Sequence, residues 1–180
     1  GALVGKHGYA KVSMPGGCAW GPRPVDLHLK GMEAMGITIT LDKGYVIAKA
    51  GSSVPGGRYR LEPSSVGATI NLLLAAVLRA ESFTIGNAAK EPDVVQLCNV
   101  LNKMGANISG VGSDTLSIKK AQKLSGGTFE NDPDRIEAGT FMIAAAMLPE
   151  SSLRLIGCNA QHLGNFPQLL RQTGAKVNVE

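Results

Sequence analysis

An internal repeat constrains the fold of this chain more than any other feature. In three segments an amphipathic pattern leads to a glycine and then to alternating apolar and polar residues. The segments are Leu27–Ile39, Val95–Ile108 and Phe166–Val177. Their glycines, Gly36, Gly105 and Gly174, are separated by 69 residues in both intervals. A glycine after a helical pattern is typical of a left-handed helix end, so we predict three helices that stop at these glycines and lead into strands.

A second pattern repeats between these copies. The segment Ala68–Leu78 is similar to Gly139–Leu148, and strand-like stretches follow both, at Ser82–Ala88 and Leu153–Ala160. The segments Ala68–Leu78 and Gly139–Leu148 are apolar on every side, which is typical of a helix enclosed by other elements. Each unit therefore consists of a buried helix, a strand, a helix that ends at glycine, and a final pair of strands.

Turn-forming residues divide the units. The paired strands are joined at Asp42–Gly44 and at Gly112–Asp114. Clusters of turn residues at 51–57 and 125–127 predict loops, and we place a crossing between two domains near Asp132 and Pro133. A unit of about seventy residues is longer than a solenoid repeat, which favours closed packing of a few units in an α/β fold.

Composition excludes several classes of protein. The net charge is only +4 and aromatic residues make up 4% of the chain, so nucleic acid is not an expected partner, whereas a small anionic ligand is. The apolar run Leu72–Leu78 is far shorter than the roughly 20 residues that cross a bilayer, so we expect a soluble protein with no membrane partner. The chain has three cysteines without a CxxC motif and three scattered histidines. This pattern indicates neither a disulfide framework nor a metal site, and it favours the reducing cytoplasm.

The segment 13–28 belongs to neither repeat and is the candidate for chemistry. Glycines and prolines at 15–17 and 21–22 bracket Cys18, which places this thiol on a predicted loop able to act as a lid. Arg23 stands between two prolines on a stiff arm, and its planar fork suits carboxylate or phosphate. A nearby cation favours a reactive thiolate, although a small apolar role in a turn remains the alternative for Cys18. Cys98 and Cys158 lie on apolar elements and are predicted to be in the core.

Four other polar residues have plain structural interpretations. Asp26 precedes a helix and is first an N-cap and second a ligand group. His28 is a polar residue at a helix start. Asp134 is likewise a plausible N-cap, and Glu91 a plausible turn residue.

The stretch Pro15–His28 resembles the signature of the UDP-N-acetylglucosamine 1-carboxyvinyltransferases, the enolpyruvyl transferases that begin peptidoglycan synthesis. Further stretches match in order along the chain. These are Ser65–Thr69, Asn87–Pro92 and Pro133–Thr140. The sister family of enolpyruvylshikimate phosphate synthases shares the fold but lacks the cysteine signature.

This resemblance implies an inverted α/β barrel, or α/β prism, built from repeated βαβαββ units with helices inside and sheets outside. Residues 1–131 would be the second and third units of one domain, and residues 132–180 would open the other. The chain begins at Gly1 in mid-pattern, so we expect it to be an incomplete portion that is inactive alone. The helix at 141–148 would then lack much of its covering sheet and expose apolar surface.

The resemblance also implies roles for individual residues. Cys18 matches the general acid that protonates the enolpyruvyl methylene and is alkylated by fosfomycin, and Arg23 matches an arginine that binds phosphoenolpyruvate. The uridine-binding strip would be Arg23, Pro24, Val25, Asp26 and Leu27. The residues near the diphosphate would be Ser65, Val66 and Gly67, at a helix start that favours anions. Glu91 and Asp134 match acidic positions in the cleft. Pro63 stands where the family commonly has a lysine, which removes one cation from the nucleotide site.

The predicted reaction is transfer of the enolpyruvyl group from phosphoenolpyruvate to the 3′-hydroxyl of UDP-N-acetylglucosamine, with no cofactor and no metal. Two alternatives stay open. The chain could be a non-catalytic fragment that binds nucleotide-sugar or only packs with a missing partner. It could also belong to an enolpyruvyl transferase for another acceptor.

Overall fold

The computed structural model describes residues 1–17 and 24–179, which form two compact units, Gly1–Phe129 and Glu130–Glu180. Within those residues no helix is both long enough and apolar enough to cross a membrane. The assignment of residues 1–131 and 132–180 to particular repeats of two domains stays a prediction.

The first unit contains the predicted order of elements. In chain order these are α1 (Ala2–His7), β1 (Tyr9–Ser13), α2 (Asp26–Met35), β2 (Thr38–Asp42), β3 (Tyr45–Lys49), β4 (Val54–Arg60), α3 (Val66–Ala76), β5 (Ala80–Gly86), α4 (Pro92–Lys103), β6 (Asn107–Ser109) and β7 (Thr115–Lys119). The elements from β4 to β7 form one βαβαββ unit, and those from α1 to β3 repeat it without its first strand. The repeat read from the sequence is therefore a structural repeat.

The two sheets have matching topology. One sheet has the order β1-β3-β2 with antiparallel pairs, and the other has the order β4-β5-β7-β6. In the second sheet β4 pairs parallel with β5, while β5, β7 and β6 form antiparallel pairs. The strands β1, β3 and β2 thus correspond to β5, β7 and β6.

The predicted helix ends and turns are confirmed. Gly36 and Gly105 follow α2 and α4 with φ values of 97° and 107°, which only glycine adopts without strain. The hairpin between β2 and β3 turns at Lys43 and Gly44, both with positive φ. The loop predicted at 51–57 is wrong in its second half, because residues 54–57 belong to β4. Gly56 serves there to let the strand lie close to the Ser82 carbonyl, where a Cβ would collide.

The helix α3 lies at the centre of the first unit, as predicted. Six of its residues are buried: Ala68, Thr69, Leu72, Leu73, Ala75 and Ala76. It contacts the helices α1, α2 and α4 and the strands β5 and β7, so three helices and one sheet surround it. Full burial of a leucine side chain contributes about 1.5–3 kcal/mol, so Leu72 and Leu73 stabilise the packing around this helix.

The second unit contains α5 (Arg135–Met147), a short 3-10 helix (Ala160–Leu163) and α6 (Phe166–Gln172). Gly174 follows α6 with φ of 98°, which confirms the third helix end. The strands predicted at 153–160 and after Gly174 are wrong, since residues 130–179 contain no strand. A strand needs a hydrogen-bonding neighbour, and these residues provide none. Cys158, predicted in the core, is accordingly only half-buried.

The helix α5 is exposed, although its pattern matches that of α3. Among its residues only Ala138 is buried, while Phe141 is 50% and Met147 77% exposed. The prediction of a fully enclosed helix is wrong for α5 in this structure, and the prediction of exposed apolar surface at 141–148 is confirmed. The difference arises because a sheet covers α3 and none covers α5.

We expect native-state hydrogen exchange to separate the two helices. Amides of α3 should exchange only through opening of the buried core, whereas amides of α5 should exchange at least about a hundredfold faster. Exchange measured by NMR or mass spectrometry on the 180-residue chain checks this. Equal protection at 68–76 and 138–147 would contradict the burial described here.

Candidate functional site

The predicted site residues fall into three groups. Cys18 and Arg23 lie outside the described residues. Asp134 belongs to the second unit. The others lie in the first unit, at or just before helix starts: Pro24, Val25, Asp26 and Leu27 at α2, Ser65, Val66 and Gly67 at α3, and Glu91 at α4.

The start of α2 differs from the prediction in one residue. Val25 is the N-cap, and its carbonyl oxygen accepts hydrogen bonds from the N–H groups of His28 and Leu29, at 3.1 Å each. The N-cap prediction for Asp26 is wrong, because the helix begins at Asp26 itself and its side chain makes no capping bond. Its carboxylate lies 3.6 Å from Lys30 Nζ on the exposed surface, where such a pair contributes little.

The start of α3 leaves backbone donors open. Ser65 is the N-cap: its Oγ accepts from the Ala68 N–H at 3.2 Å, and its carbonyl oxygen accepts from the Thr69 N–H and hydroxyl. Among the residues that the structure describes, the N–H groups of Val66 and Gly67 have no acceptor. Because such groups carry the positive end of the helix dipole, this turn suits an anion.

The helices α2 and α3 lie side by side and run in the same direction. His28 Nδ1 lies 3.0 Å from Asn71 Nδ2, and the edge of the same ring faces Gly67. One turn further along, Gly31 lies against the side chain of Leu72. The starts of both helices therefore share one end of the unit, where the ring of His28 faces Gly67.

Thr69 links the loop before α4 to the end of the unit where α2 and α3 begin. It is the one fully buried polar residue within the described part of the chain, and its Oγ1 accepts the N–H of Ala89 at 3.0 Å. Ala89 stands two residues before Glu91, the N-cap residue of α4, whose side chain makes no capping bond. The start of α4 is thus held near the first turn of α3.

Asp134 occupies a different environment. Its Oδ1 accepts from the N–H groups of Ile136, at 2.8 Å, and Glu137, at 3.2 Å, which confirms the N-cap interpretation for the start of α5. Such a cap typically stabilises a helix by about 1 kcal/mol.

The imidazole of His28 is neutral at pH 7. Burial lowers the pKa of His28, and the carboxylate of Asp26 opposes this shift. A ring nitrogen that accepts from an amide N–H leaves the proton on the other nitrogen. The imidazole is therefore a neutral group at the shared helix end, which also carries the exposed carboxylate of Asp26.

Sequence reasoning gave His28 only a structural role and did not single out Asn71. The available signal was Asn71 itself, since it is the only strongly polar side chain in the apolar run from Ile70 to Leu78. Its contact with His28 spans 43 residues of sequence, which no local pattern reveals. No group of three or more His, Cys, Asp or Glu side chains within residues 1–17 and 24–179 could hold a metal ion.

Comparison with protein families gives one match over the full chain. The family model described as EPSP synthase (3-phosphoshikimate 1-carboxyvinyltransferase) matches residues 1–180. Among curated relatives, UDP-N-acetylglucosamine 1-carboxyvinyltransferase 1 of Caldanaerobacter subterraneus subsp. tengcongensis is 47% identical over 100% of this chain and 43% of the relative. UDP-N-acetylglucosamine 1-carboxyvinyltransferase of Chlorobaculum parvum is 45% identical over 100% of this chain and 42% of the relative. The chain therefore spans less than half the length of these relatives.

Solved structures have the same architecture. The enolpyruvyl transferase NikO from Streptomyces tendae superimposes with a TM-score of 0.79 and 25% identity, covering 99% of this chain and 43% of that one. An EPSP synthase from Acinetobacter baumannii gives a TM-score of 0.64 at 24% identity, covering 88% of this chain and 36% of that one. These likenesses identify the fold as that of the enolpyruvyl transferases.

We expect the three thiols to differ in reactivity. Cys98 is fully buried, which confirms its predicted core position, and burial raises the pKa of this thiol to about 11. At pH 8 that leaves on the order of one thiol in a thousand as the reactive thiolate. The half-buried Cys158, which borders an open cavity of about 600 Å³, should be alkylated faster than Cys98. Cys18 stays predicted from the sequence to be the fastest.

Alkylation with iodoacetamide followed by peptide mapping gives the three rates separately. As a control, Cys98 should react at the rate of Cys158 once the chain is unfolded in denaturant. Equal rates at Cys98 and Cys158 in the folded chain would contradict the burial argument.

Proposed function

Because this chain belongs to the EPSP synthase family, we propose that its protein transfers the enolpyruvyl group of phosphoenolpyruvate to the 3′-hydroxyl of UDP-N-acetylglucosamine and releases phosphate. Relatives that are 45–47% identical over the whole chain carry the name of that transferase. The chain spans 43% of the first of them, so the complete activity is proposed from these names and from the site together.

The observation that carries the proposal is the shared end of α2 and α3. The strip Pro24–Leu27 leads directly into His28, whose ring edge faces Gly67 of the triplet Ser65–Gly67. The family resemblance assigns the strip to uridine and the triplet to the diphosphate. A nucleoside diphosphate needs one site for its nucleoside and a neighbouring site for its diphosphate. The open N–H groups of Val66 and Gly67 supply hydrogen bonds to its anionic part without a lysine, which offsets the presence of Pro63.

The reaction proceeds by addition and then elimination. The acceptor oxygen bonds to the central carbon of phosphoenolpyruvate while the methylene carbon gains a proton from the Cys18 thiol. The bond to phosphate then breaks and the methyl group returns a proton to the Cys18 thiolate, which restores the double bond, while the proton of the acceptor hydroxyl leaves with the phosphate. Arg23 binds the anionic phosphoenolpyruvate through its planar fork. Because both residues lie outside the described part of the chain, these roles are supported by the sequence resemblance.

The proposed setting follows from the reaction. Attachment of enolpyruvyl to UDP-N-acetylglucosamine is the first committed step of peptidoglycan synthesis, so we place the protein in the cytoplasm, with effects on cell shape and division. Its two partners are the small-molecule substrates. An epoxide such as fosfomycin would alkylate Cys18, since a thiolate beside a fixed cation attacks strained rings readily.

A chimera tests this proposal directly. The 180 residues replace the matching segment of the Caldanaerobacter relative, which supplies the rest of its own chain. We expect phosphate release that requires both phosphoenolpyruvate and UDP-N-acetylglucosamine and is lost in Cys18→Ala. The 180-residue chain alone is the comparison, and it is predicted to release none.

Two results would contradict the proposal. A folded chimera that binds UDP-N-acetylglucosamine without turnover would favour the non-catalytic alternative. A folded chimera that releases phosphate only with a different acceptor would favour another enolpyruvyl transferase.

In the same chimera we expect Arg23→Lys to impair the enzyme although it keeps the charge. A compact ammonium cannot form two parallel hydrogen bonds to carboxylate or phosphate. The loss should be about 2 kcal/mol or more in transition-state binding, which is roughly thirtyfold in kcat/KM. Arg58→Lys is the matched control, because Arg58 lies exposed on β4. Unchanged kcat/KM in Arg23→Lys would show that Arg23 does not bind the substrate.

A further inference from the structure

The first sheet, β1-β3-β2, carries large apolar and basic side chains on the face that points away from the core. Ala10, Val46 and Ala48 point to the core and are buried, so the residues that alternate with them point outward. Among these outward residues Tyr9 is 48% and Tyr45 is 42% exposed. We name this surface the Tyr–Lys face and define it by Tyr9, Lys11, Tyr45, Ile47 and Lys49.

The equivalent face of the second sheet shows that the fold does not require these side chains. The strand registers match the two faces position by position, beginning at Lys49 in β3 and Lys119 in β7. At the matching positions the second sheet has small hydroxyl residues, with Ser82 for Tyr9, Thr84 for Lys11, Thr115 for Tyr45 and Ser117 for Ile47. Two exposed tyrosines and an isoleucine are therefore not explained by the packing of such a sheet.

The Tyr–Lys face has an excess of positive charge. Lys11 Nζ lies 4.7 Å from the centre of the Tyr45 ring, a cation–π contact that holds the ammonium over the face. Among the described residues, neither Lys11 nor Lys49 forms an ion pair with a carboxylate. Asp42 is the one acidic residue on β1, β2 and β3, and Lys43 in the adjacent turn offsets its charge. The face is therefore complementary to carboxylates.

The size of the face fits a short segment. Its three strands are five residues long, and with strands about 4.8 Å apart and about 3.4 Å per residue they cover roughly 10 by 17 Å. A standard interface buries about 800 Å² on each partner, so the face is too small for a stable dimer of this chain. Two unpaired lysines also neutralise too few phosphates to hold a nucleic acid or an anionic membrane firmly.

The order of side chains along β3 indicates the pattern of the partner. Lys49, Ile47 and Tyr45 follow one another at every second residue, so one cation is followed by two apolar side chains. An extended segment has the same spacing on the side that faces the sheet. We propose that the Tyr–Lys face docks a short, extended, acidic segment of another protein. Its carboxylate lies over the lysine, and its next apolar side chains pack on the isoleucine and the tyrosine.

A designed peptide tests this proposal. The capped peptide Glu-Ser-Leu-Ser-Leu-Ser-Glu, extended, presents carboxylates and leucines on one side, and NMR titration of the 180-residue chain locates where it binds. We expect amide shifts confined to β1, β2 and β3, with a Kd of about 1 mM or tighter. The same peptide with Gln in place of both Glu residues should bind about fivefold more weakly, because it loses the ion pairs.

The second sheet supplies matched variants. Tyr45→Thr and Ile47→Ser introduce the residues that β7 has at the equivalent positions, and each should weaken binding of the peptide about fivefold. Lys11→Gln should weaken the Glu peptide about threefold and leave the Gln peptide unchanged, and it keeps the test decisive if the β3 variants do not fold. Lys119→Gln, on the second sheet, should change neither affinity.

Several outcomes would overturn the proposal. These are the absence of shifts in the first sheet well above the expected Kd, equal shifts on both sheets, and equal affinity for the Glu and Gln peptides. Tighter binding of a short oligothymidylate or of phosphatidylglycerol vesicles to the face would assign it to another polyanion. Shifts of the face that depend on the concentration of the chain alone would assign it to a second copy. The proposed transfer reaction is independent of all these results, since no predicted site residue lies on β1, β2 or β3.

Discussion

Enclosure of the apolar helix α3 is the constraint on which the first unit depends. Six of its eleven residues are buried, in contact with three neighbouring helices and one sheet. Thr69 is the one polar exception, and both of its hydroxyl bonds are made: it donates to the Ser65 carbonyl and accepts from Ala89. Since an unpaired buried hydroxyl is costly, this network fixes the first turn of α3 relative to the loop before α4.

The same enclosure generates the candidate site. With α3 held at the centre, α2 lies parallel to it, and the starts of both helices come to one end of the unit. Helix dipoles that point the same way add their positive ends, so an anion can bind there without side-chain cations. The site is therefore a consequence of packing direction rather than of a cluster of charged residues.

The contrast between α3 and α5 shows how far an apolar pattern determines burial. Both helices carry the same pattern and a threonine whose hydroxyl donates to the carbonyl four residues earlier, at Ser65 and Ile136. One helix is covered by a sheet, and the other exposes Phe141 and Met147. The pattern determines which face can be buried, whereas the neighbouring elements determine whether it is.

The sequence by itself determined the repeat, the helix ends at Gly36, Gly105 and Gly174 and the central position of α3, because these follow from periodicity and from glycine's access to positive φ. The family followed from the resemblance of the stretch Pro15–His28 to a known signature. It misplaced the cap of α2 by one residue and predicted strands at 153–160 that do not form. Only the tertiary structure decided that His28 contacts Asn71 and faces Gly67, so that two helices start at one end of the unit. Such contacts join residues some forty positions apart, and they depend on how helices pack, which local pattern does not encode.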